Sequence, residues 1–214
     1  YNEKALTPSV GLVIKPVENV SLYANYIQGL QQGPQAPPGT VNAGQVFAPY
    51  LAEQYEAGAK VDSGSMGATL AFYQIGLPNS YIDPSTNVFG LNGEQRNRGI
   101  ELNMFGEITP GVRLLGGISY IDSVLINTVG GVDDGNRGIA VPVWRAVLGA
   151  EWDTPFIPGF TLTGRVIRND SMFIDTANLQ SIPAWTRVDI GARYSIQRAN
   201  GQPIVIRARI DNLL

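Results

Sequence analysis

Apolar and polar side chains alternate with a period of two residues through most of the 214-residue chain. In the segment 187–194, one row consists of Val188, Ile190, Ala192 and Tyr194, and the opposite row of Arg187, Asp189, Gly191 and Arg193. Such a period indicates β-strands whose two faces meet different surroundings. It predicts ten strands, at residues 7–15, 20–29, 52–62, 66–75, 94–106, 112–123, 143–153, 160–169, 184–195 and 203–213.

Short and long connections between these segments alternate along the whole chain. The short ones are residues 16–19, 63–65, 107–111, 154–159 and 196–202, and the long ones are residues 30–51, 76–93, 124–142 and 170–183. Outer-membrane barrels have short turns on one side of the membrane and long loops on the other. A soluble sandwich has no reason for this regularity.

The length of the strands and the position of the aromatic rings agree with a membrane barrel. The predicted strands are around 10 residues long, near the 9 to 11 residues that cross a bilayer at a tilt. Rings that could form an interfacial girdle lie near strand ends, at Tyr26, Tyr55, Tyr73, Tyr120, Trp144, Trp152, Trp185 and Tyr194. The expected fold is therefore all-β: an antiparallel up-and-down transmembrane barrel segment of about ten strands.

The amino-acid composition limits the kinds of functional site that the chain can contain. The charged fraction of 15% is below the roughly 25% of soluble domains. The chain contains neither Cys nor His, which excludes zinc sites and nucleophiles or bases built on those residues. Basic residues are scattered and the net charge is −3, so no nucleic-acid surface is indicated. No catalytic constellation is evident, and we expect no enzyme activity.

Several segments resemble the barrel of TonB-dependent ferric-siderophore receptors. They are TPSVGLV (7–13) with VSLYANY (20–26), EQYEAGAK (53–60), GEQRNRGIEL (93–102) followed by TPG (109–111), WDTP (152–155) with PGF (158–160), RVDIGARY (187–194) and DNLL (211–214). These motifs occur in the family's order and cover most of the strand residues. The long loops resemble nothing that we can name, so the cargo is left open.

The resemblance implies a barrel of 22 strands that encloses an N-terminal plug domain. Residues 1–214 would be a single, partial barrel domain, without the plug, the TonB box or the closing strand, and such a piece alone would not function. The whole protein would lie in the outer membrane of a Gram-negative bacterium, take up a ferric siderophore with energy from TonB, and contact lipid and its own plug. The siderophore would carry the iron, so the protein would need no cofactor and no metal ligand of its own.

Two sets of candidate site residues follow from this interpretation. Polar residues of the inward row would form a lumen network that consists of Glu56, Lys60, Asn97, Glu101, Asn103, Arg145, Glu151, Arg165, Arg187, Asp189, Arg193, Arg207 and Arg209. Rings suited to a bulky, partly apolar ligand occur in the loops and upper wall, at Phe47, Tyr50, Tyr81, Phe89, Trp144, Phe173 and Trp185. Each of these rings could equally serve as a girdle or loop-packing residue.

Other functions stay open at this point. A TonB-dependent receptor could carry haem, cobalamin or an oligosaccharide instead. An outer-membrane protease or lipase barrel, or a soluble β-rich binding module, would also contain alternating strands. Detergent partitioning separates the last of these from a barrel, and a hydrolysis assay of the intact protein separates the enzyme.

Overall fold

A computed structural model describes residues 6–83, 85–199 and 201–214. Two of the predicted connections include a residue outside these ranges, Pro84 and Asn200. The described part contains β1 (Ser9–Val17), β2 (Val20–Gln31), β3 (Tyr50–Asp62), β4 (Met66–Ile82), β5 (Phe89–Thr109), β6 (Val112–Ile126), β7 (Trp144–Asp153), β8 (Phe160–Asn169), β9 (Met172–Phe173), β10 (Ser181–Ile182), β11 (Trp185–Ile196) and β12 (Ile204–Ile210). A single 3₁₀ turn occupies Val129–Gly131. Within these ranges, no helix is long and apolar enough to cross a membrane.

Ten of the strands form one sheet in the order β1-β2-β3-β4-β5-β6-β7-β8-β11-β12. Every neighbouring pair is antiparallel, so the chain runs up and down through the sheet without a crossover. The ten predicted strands and their up-and-down topology are confirmed. The two extra strands, β9 and β10, form a small hairpin within the connection between β8 and β11.

The predicted long connection at residues 76–93 is wrong. Strands β4 and β5 continue to pair as far as Ile82 and Phe89, which leaves only residues 83–88 as the turn. Pro78 lacks an N–H donor, and the register shifts between Pro78 and Ser80, where a bulge accommodates the proline. With 21 residues, β5 is about 70 Å long at ~3.3 Å per residue, more than twice the ~30 Å hydrocarbon core. The β4–β5 hairpin therefore extends beyond the sheet on the long-loop side.

One face of the sheet is apolar and open to the surroundings. Its side chains include Leu12, Phe72, Ile100, Leu148 and Val166, with exposed fractions between 42% and 62%. Aromatic pairs lie at both ends of this face: Tyr26–Tyr55 and Tyr120–Trp144 at the long-loop end, and Trp152–Phe156 and Phe160–Tyr194 at the short-turn end. An apolar band between two aromatic girdles is the surface that a barrel presents to lipid.

Two of the predicted girdle residues, Tyr73 and Trp185, lie on the other face of the sheet. The register places Tyr73 opposite Glu56, and Trp185 opposite Asn169. These neighbours belong to the row of polar residues. We call this row's surface the polar face, and it is the face that a closed barrel turns toward its interior.

Candidate functional site

The connection between β2 and β3, residues 32–49, folds onto the turn of the β4–β5 hairpin. The backbone N–H of Val41 donates to the carbonyl oxygen of Asn87 at 2.9 Å. The Asn42 side chain donates to the Phe89 carbonyl at 2.8 Å and accepts from the Phe89 N–H at 2.9 Å. Asn87 Nδ2 donates to the Gly39 carbonyl at 2.7 Å. We call these two segments the first loop pair, which side-chain amides hold together.

Aromatic rings lie inside the first loop pair. The rings of Phe47 and Phe89 meet edge to face, with centroids 5.5 Å apart, and Phe89 is buried. Tyr81 lies across the hairpin from Gly90, adjacent to Phe89. Tyr50 begins β3 directly after this connection, opposite Gln31. Four of the seven predicted ligand-binding rings therefore belong to one region above the sheet.

The connections between β6 and β7 and between β8 and β11 form a second loop pair, residues 127–143 with residues 170–184. The Asn178 side chain accepts from the Arg137 N–H at 2.7 Å and donates to the Arg137 carbonyl at 3.1 Å. Asn136 Nδ2 donates to the Thr176 carbonyl at 2.9 Å. The Ala140 N–H donates to the carbonyl of Phe173, another of the predicted ligand-binding residues.

Acidic side chains stabilise the turns of both loop pairs. In the first, the hydroxyl and N–H of Ser85 donate to Asp83 at 2.7 and 2.8 Å and lower the pKa of its carboxyl. In the second, the N–H and hydroxyl of Thr128 donate to Asp134 at 2.7 and 2.8 Å, which lowers the pKa of that carboxyl as well. Hydrogen bonds to the charged form of a carboxyl favour that form.

A band of polar and aromatic groups crosses the polar face below the second loop pair. Arg145 on β7, Asn169 on β8 and Trp185 on β11 are register neighbours across three strands. Asn169 Oδ1 is buried and has no hydrogen-bond partner within the described part of the chain. Arg145 is exposed and forms no ion pair with any described residue. This band offers an acceptor, a cation and a ring to a ligand that enters between the loops.

The polar face of β2 to β5, which we call the tyrosine half, contains few charges. The Tyr23 hydroxyl donates to Glu56 Oε1 at 2.6 Å, and Gln54 Nε2 donates to Glu56 Oε2 at 2.9 Å. Lys60 Nζ lies 4.9 Å from the centroid of the Tyr23 ring. Among the other predicted network residues here, Asn97 accepts from Gln95 Nε2 at 3.1 Å, while Glu101 and Asn103 lie on the polar face of β5.

The polar face of β6 to β8, β11 and β12, which we call the arginine half, contains linked ion pairs. Asp189 is 4% exposed at its side chain and receives Arg165, Arg187 and Arg209 at 2.6, 2.7 and 3.2 Å. It also accepts from the Asn212 N–H at 3.0 Å. Asp189 thus pairs with Arg187 on its own strand and with Arg165 and Arg209 on the two neighbouring strands.

A second ion-pair cluster of the arginine half lies nearer the short turns. Arg113 contacts Glu151 at 3.0 Å and Asp153 at 2.7 Å, and Arg193 contacts Glu151 at 3.4 Å. Sequence reasoning missed Arg113 and Asp153. Arg113 is the second residue of β6 and Asp153 the last residue of β7, where few alternating positions remain. Asp153 nevertheless lies two residues after Glu151, and therefore on the same side of β7. By the same alternation, Arg113 lies on the side of β6 that Ser119 occupies.

The structure does not place Trp144 with the other predicted ligand-binding residues. Trp144 pairs with Tyr120 on the apolar face, with ring centroids 4.9 Å apart. Trp144 lies on the same side of β7 as Ala146 and Leu148, so it belongs to the aromatic girdle of the apolar face. Trp185, in contrast, lies on the same side of β11 as Arg187, which is the polar face.

No cluster of acidic residues suited to a metal ion occurs in the part of the chain that the structure describes. The site therefore consists of rings, amides and single charges around a polar surface. Such groups can bind a ligand through apolar contact and hydrogen bonds.

A ten-stranded antiparallel sheet with girdles on an apolar face and ion pairs on the other defines a wall segment of a transmembrane β-barrel. The chain belongs to the TonB dependent receptor-like β-barrel family, whose model matches residues 1–213. The resemblance drawn from the sequence motifs is thereby confirmed.

Individual relatives agree with this assignment. The ferrichrome receptor FcuA of Yersinia enterocolitica is 41% identical over 213 residues, which are 97% of this chain and 28% of that protein. The solved structure of BauA, the ferric preacinetobactin receptor of Acinetobacter baumannii, is 45% identical with a TM-score of 0.81, over 97% of this chain and 32% of that one. The siderophore receptor PiuA of the same species shares the fold, with a TM-score of 0.74 at 23% identity. The chain thus spans about three-tenths of the length of these relatives.

Proposed function

We propose that this chain is part of the wall of an outer-membrane receptor that takes up a ferric siderophore in a Gram-negative bacterium. The observation that carries the proposal is the placement of rings and amides in two loop pairs above a polar face. A ferric siderophore is bulky, partly apolar and rich in oxygen, and it fits rings, amide donors and a cation such as Arg145. The relatives named above are receptors, which supports transport rather than catalysis.

We propose the chemical class of the cargo, a ferric siderophore, and name no single compound. The relatives named above differ in cargo, since FcuA is a receptor for ferrichrome and BauA one for ferric preacinetobactin. Of the predicted ligand-binding residues, we retain Phe47, Tyr50, Tyr81, Phe89, Phe173 and Trp185, and exclude Trp144. The siderophore itself would supply the ligands of the iron.

Uptake would also need partners outside this chain. Binding energy alone shifts the populations of protein states and cannot move a ligand against a gradient. We therefore propose that the whole protein couples to TonB, and that a plug domain lies against the polar face. Lipid would contact the apolar face, because that face exposes large aliphatic side chains between two girdles.

The proposal is tested by titrating the full-length protein in detergent with ferric hydroxamate, catecholate and mixed siderophores, and with their iron-free forms. Quenching of tryptophan fluorescence is measured in the unsubstituted protein, in W185F and in W152F. We expect one ferric siderophore to bind selectively, with a smaller quenching amplitude in W185F than in W152F, since Trp152 lies at the short-turn end. A folded barrel that binds none of the panel contradicts the siderophore assignment.

A further inference from the structure

The loops above the polar face are acidic. Residues 32–49, 83–88, 127–143 and 170–184 contain five aspartates and one arginine, which are Asp83, Asp133, Asp134, Asp170, Asp175 and Arg137. A surface with charges of one sign raises the local concentration of ligands of the opposite sign. The two loop pairs therefore favour a ligand that carries a positive charge.

Four of the five carboxylates are already engaged within their own turns. They accept hydrogen bonds at distances between 2.7 and 3.0 Å: Asp83 from Ser85, Asp134 from Thr128, Asp170 from Ser171, and Asp175 from Leu179 and Gln180. Hydrogen bonds of this local kind stabilise the backbone of the turn that contains the carboxylate. These four aspartates therefore have a structural role.

Asp133, the fifth, is 6% exposed and has no such partner. Its N–H donates to the Thr128 hydroxyl at 3.2 Å, but its carboxylate forms no hydrogen bond and no ion pair with any residue that the structure describes. The described side-chain atoms that are fully enclosed without a partner belong to other residues, such as Asn79, so the carboxylate oxygens retain access to the surface. A largely buried charge without a partner is costly, and this position therefore favours a cation.

Asp133 lies where the two loop pairs meet. A Cβ atom at Gly93 of β5 would lie 3.2 Å from the Thr128 Cα, so the loop that contains Asp133 packs directly on the β4–β5 hairpin. In the part of this hairpin that extends beyond the sheet, burial raises the pKa of the Tyr81 phenol, and the carboxylates of Asp83 and Asp133 raise it further. The ring of Tyr81, one of the predicted ligand-binding residues, is therefore close to the free carboxylate.

We infer that the Asp133 carboxylate and the Tyr81 ring form a binding site for a positively charged organic group, such as an ammonium, on the ferric siderophore. The inference rests on the proposed function and narrows its substrate class to siderophores with a basic group. The cargo is the source that the position favours, because the site lies between the loops on the side from which the cargo enters.

The donor groups suit an organic cation better than a metal ion. A carboxylate offers charge-assisted hydrogen bonds to an ammonium group, and the face of an aromatic ring attracts the same charge. A calcium ion takes six to eight oxygen ligands, more than one free carboxylate and a phenol provide. No group of three acidic side chains suited to a metal occurs among the described residues.

The test uses the full-length protein in detergent and the ferric siderophore that the titration panel selects. Tryptophan quenching gives the Kd of this siderophore and of its acetylated form, in which the amine has lost its charge and the iron complex is unchanged. We expect acetylation to weaken binding about 10-fold or more in the unsubstituted protein and to have little effect in D133N. The matched control D170N removes a carboxylate that Ser171 already engages, and it should retain the preference for the charged form.

Two results of this titration overturn the inference and leave the proposed function intact. One is a selected siderophore that contains no basic group. The other is a D133N variant that prefers the charged form as strongly as the unsubstituted protein does. If no siderophore binds to the folded barrel, the proposed function is wrong and the inference falls with it.

Hydrogen exchange without cargo tests whether the Asp133 carboxylate already has a partner elsewhere in the protein. D133N removes an unpaired charge, so the protection factor of the Gly131 amide, which donates to the Thr128 carbonyl at 2.9 Å, should rise about 5-fold. An unchanged or lower protection factor would show that another part of the protein neutralises Asp133, and would overturn the inference. Protection that ~1 mM calcium raises in the unsubstituted protein but not in D133N would identify a metal site instead, with the same consequence.

Discussion

The two halves of the polar face keep their charged groups in place by different means. In the tyrosine half, Glu56 accepts hydrogen bonds from a phenol and an amide, and the nearest cation, Lys60, lies against the Tyr23 ring. In the arginine half, Asp189 is nearly buried and accepts three guanidinium groups. Neutral donors leave the charge of a carboxylate uncancelled, whereas arginines cancel it and exceed it. The same wall therefore presents an acidic surface on one side and a basic one on the other.

Close packing of rings on glycine belongs to the tyrosine half. A Cβ atom at Gly58 would lie 2.4 Å from the Leu70 carbonyl and 2.7 Å from the Tyr23 hydroxyl. At Gly99, a Cβ would lie 2.4 Å from atoms of the Tyr73 ring. These glycines leave the space in which the tyrosines lie flat on the sheet. The arginine half needs no such space at Gly149, where a Cβ would come no closer than 3.4 Å, to the Leu115 carbonyl oxygen.

The largest effect is expected in the arginine half, from D189N. Removing this negative charge leaves three guanidinium groups facing one another in a nearly buried position, and one partner of a buried ion pair is costly to lose. We expect Tm of the full-length protein to fall by roughly 10 °C. The matched variant D211N removes a half-exposed carboxylate from the same cluster and should cost much less. Equal shifts for the two variants would contradict the central role of Asp189.

The next effect is expected in the tyrosine half, from G58A. The added methyl group overlaps the backbone of β4, so the strands must separate locally, at a cost of about 1–3 kcal/mol. The free energy of unfolding in urea measures this cost. G149A is the matched control in the arginine half, and it should cost much less, since its added methyl group reaches only ordinary van der Waals contact. Similar losses in both variants would remove the contrast between the halves.

A smaller effect is expected from Y23F, which removes the hydroxyl that donates to Glu56 and keeps the ring over Gly58. We expect a loss of about 1 kcal/mol in the free energy of unfolding, the usual value of one hydrogen bond. A double-mutant cycle with E56Q isolates the contribution of the pair. Additive losses in that cycle would show that the Tyr23 hydroxyl is not coupled to Glu56.

The smallest effect concerns the second loop pair and depends on pH. The hydrogen bonds from Thr128 lower the pKa of Asp134 below its ordinary 3.8 in the folded loop. The stabilisation is therefore full above pH 3.8 and is lost as the pH falls through the folded-state pKa. Hydrogen-exchange protection of the Thr128 amide, corrected for the intrinsic rate, should fall in that window and should be low at every pH in D134N. A protection factor that does not change with pH would show that ionisation of Asp134 does not stabilise the loop.

Parity along a strand was enough to assign most of the site. Glu56, Glu101, Arg187 and Asp189 lie on the polar face as the alternation indicates, because successive side chains of a strand point to opposite faces. The same rule assigns Trp144 to the apolar face, whereas its position near a loop suggested that it binds the ligand. Candidate residues in strands are therefore better judged by parity than by distance from a loop.

The extent of the β4–β5 hairpin could not be found in the same way. Residues 76–93 contain glycine, proline and asparagine, which usually mark turns, yet β4 and β5 pair through most of this segment. The residues 32–49 also pack against its tip through Asn42 and Asn87. Contacts between segments that are about 47 residues apart override the local preference of the chain.

The sequence by itself determined the ten strands of the main sheet, most of their faces and the family, since a period of two residues and a few turn motifs are local properties. Only the tertiary structure decided which arginine meets which carboxylate, because partners such as Arg165 and Asp189 are set by the register between strands. It also decided which loops lie together, through side-chain amides that bond to distant backbone groups. Register and docking join residues far apart in the chain, and no local pattern contains that information.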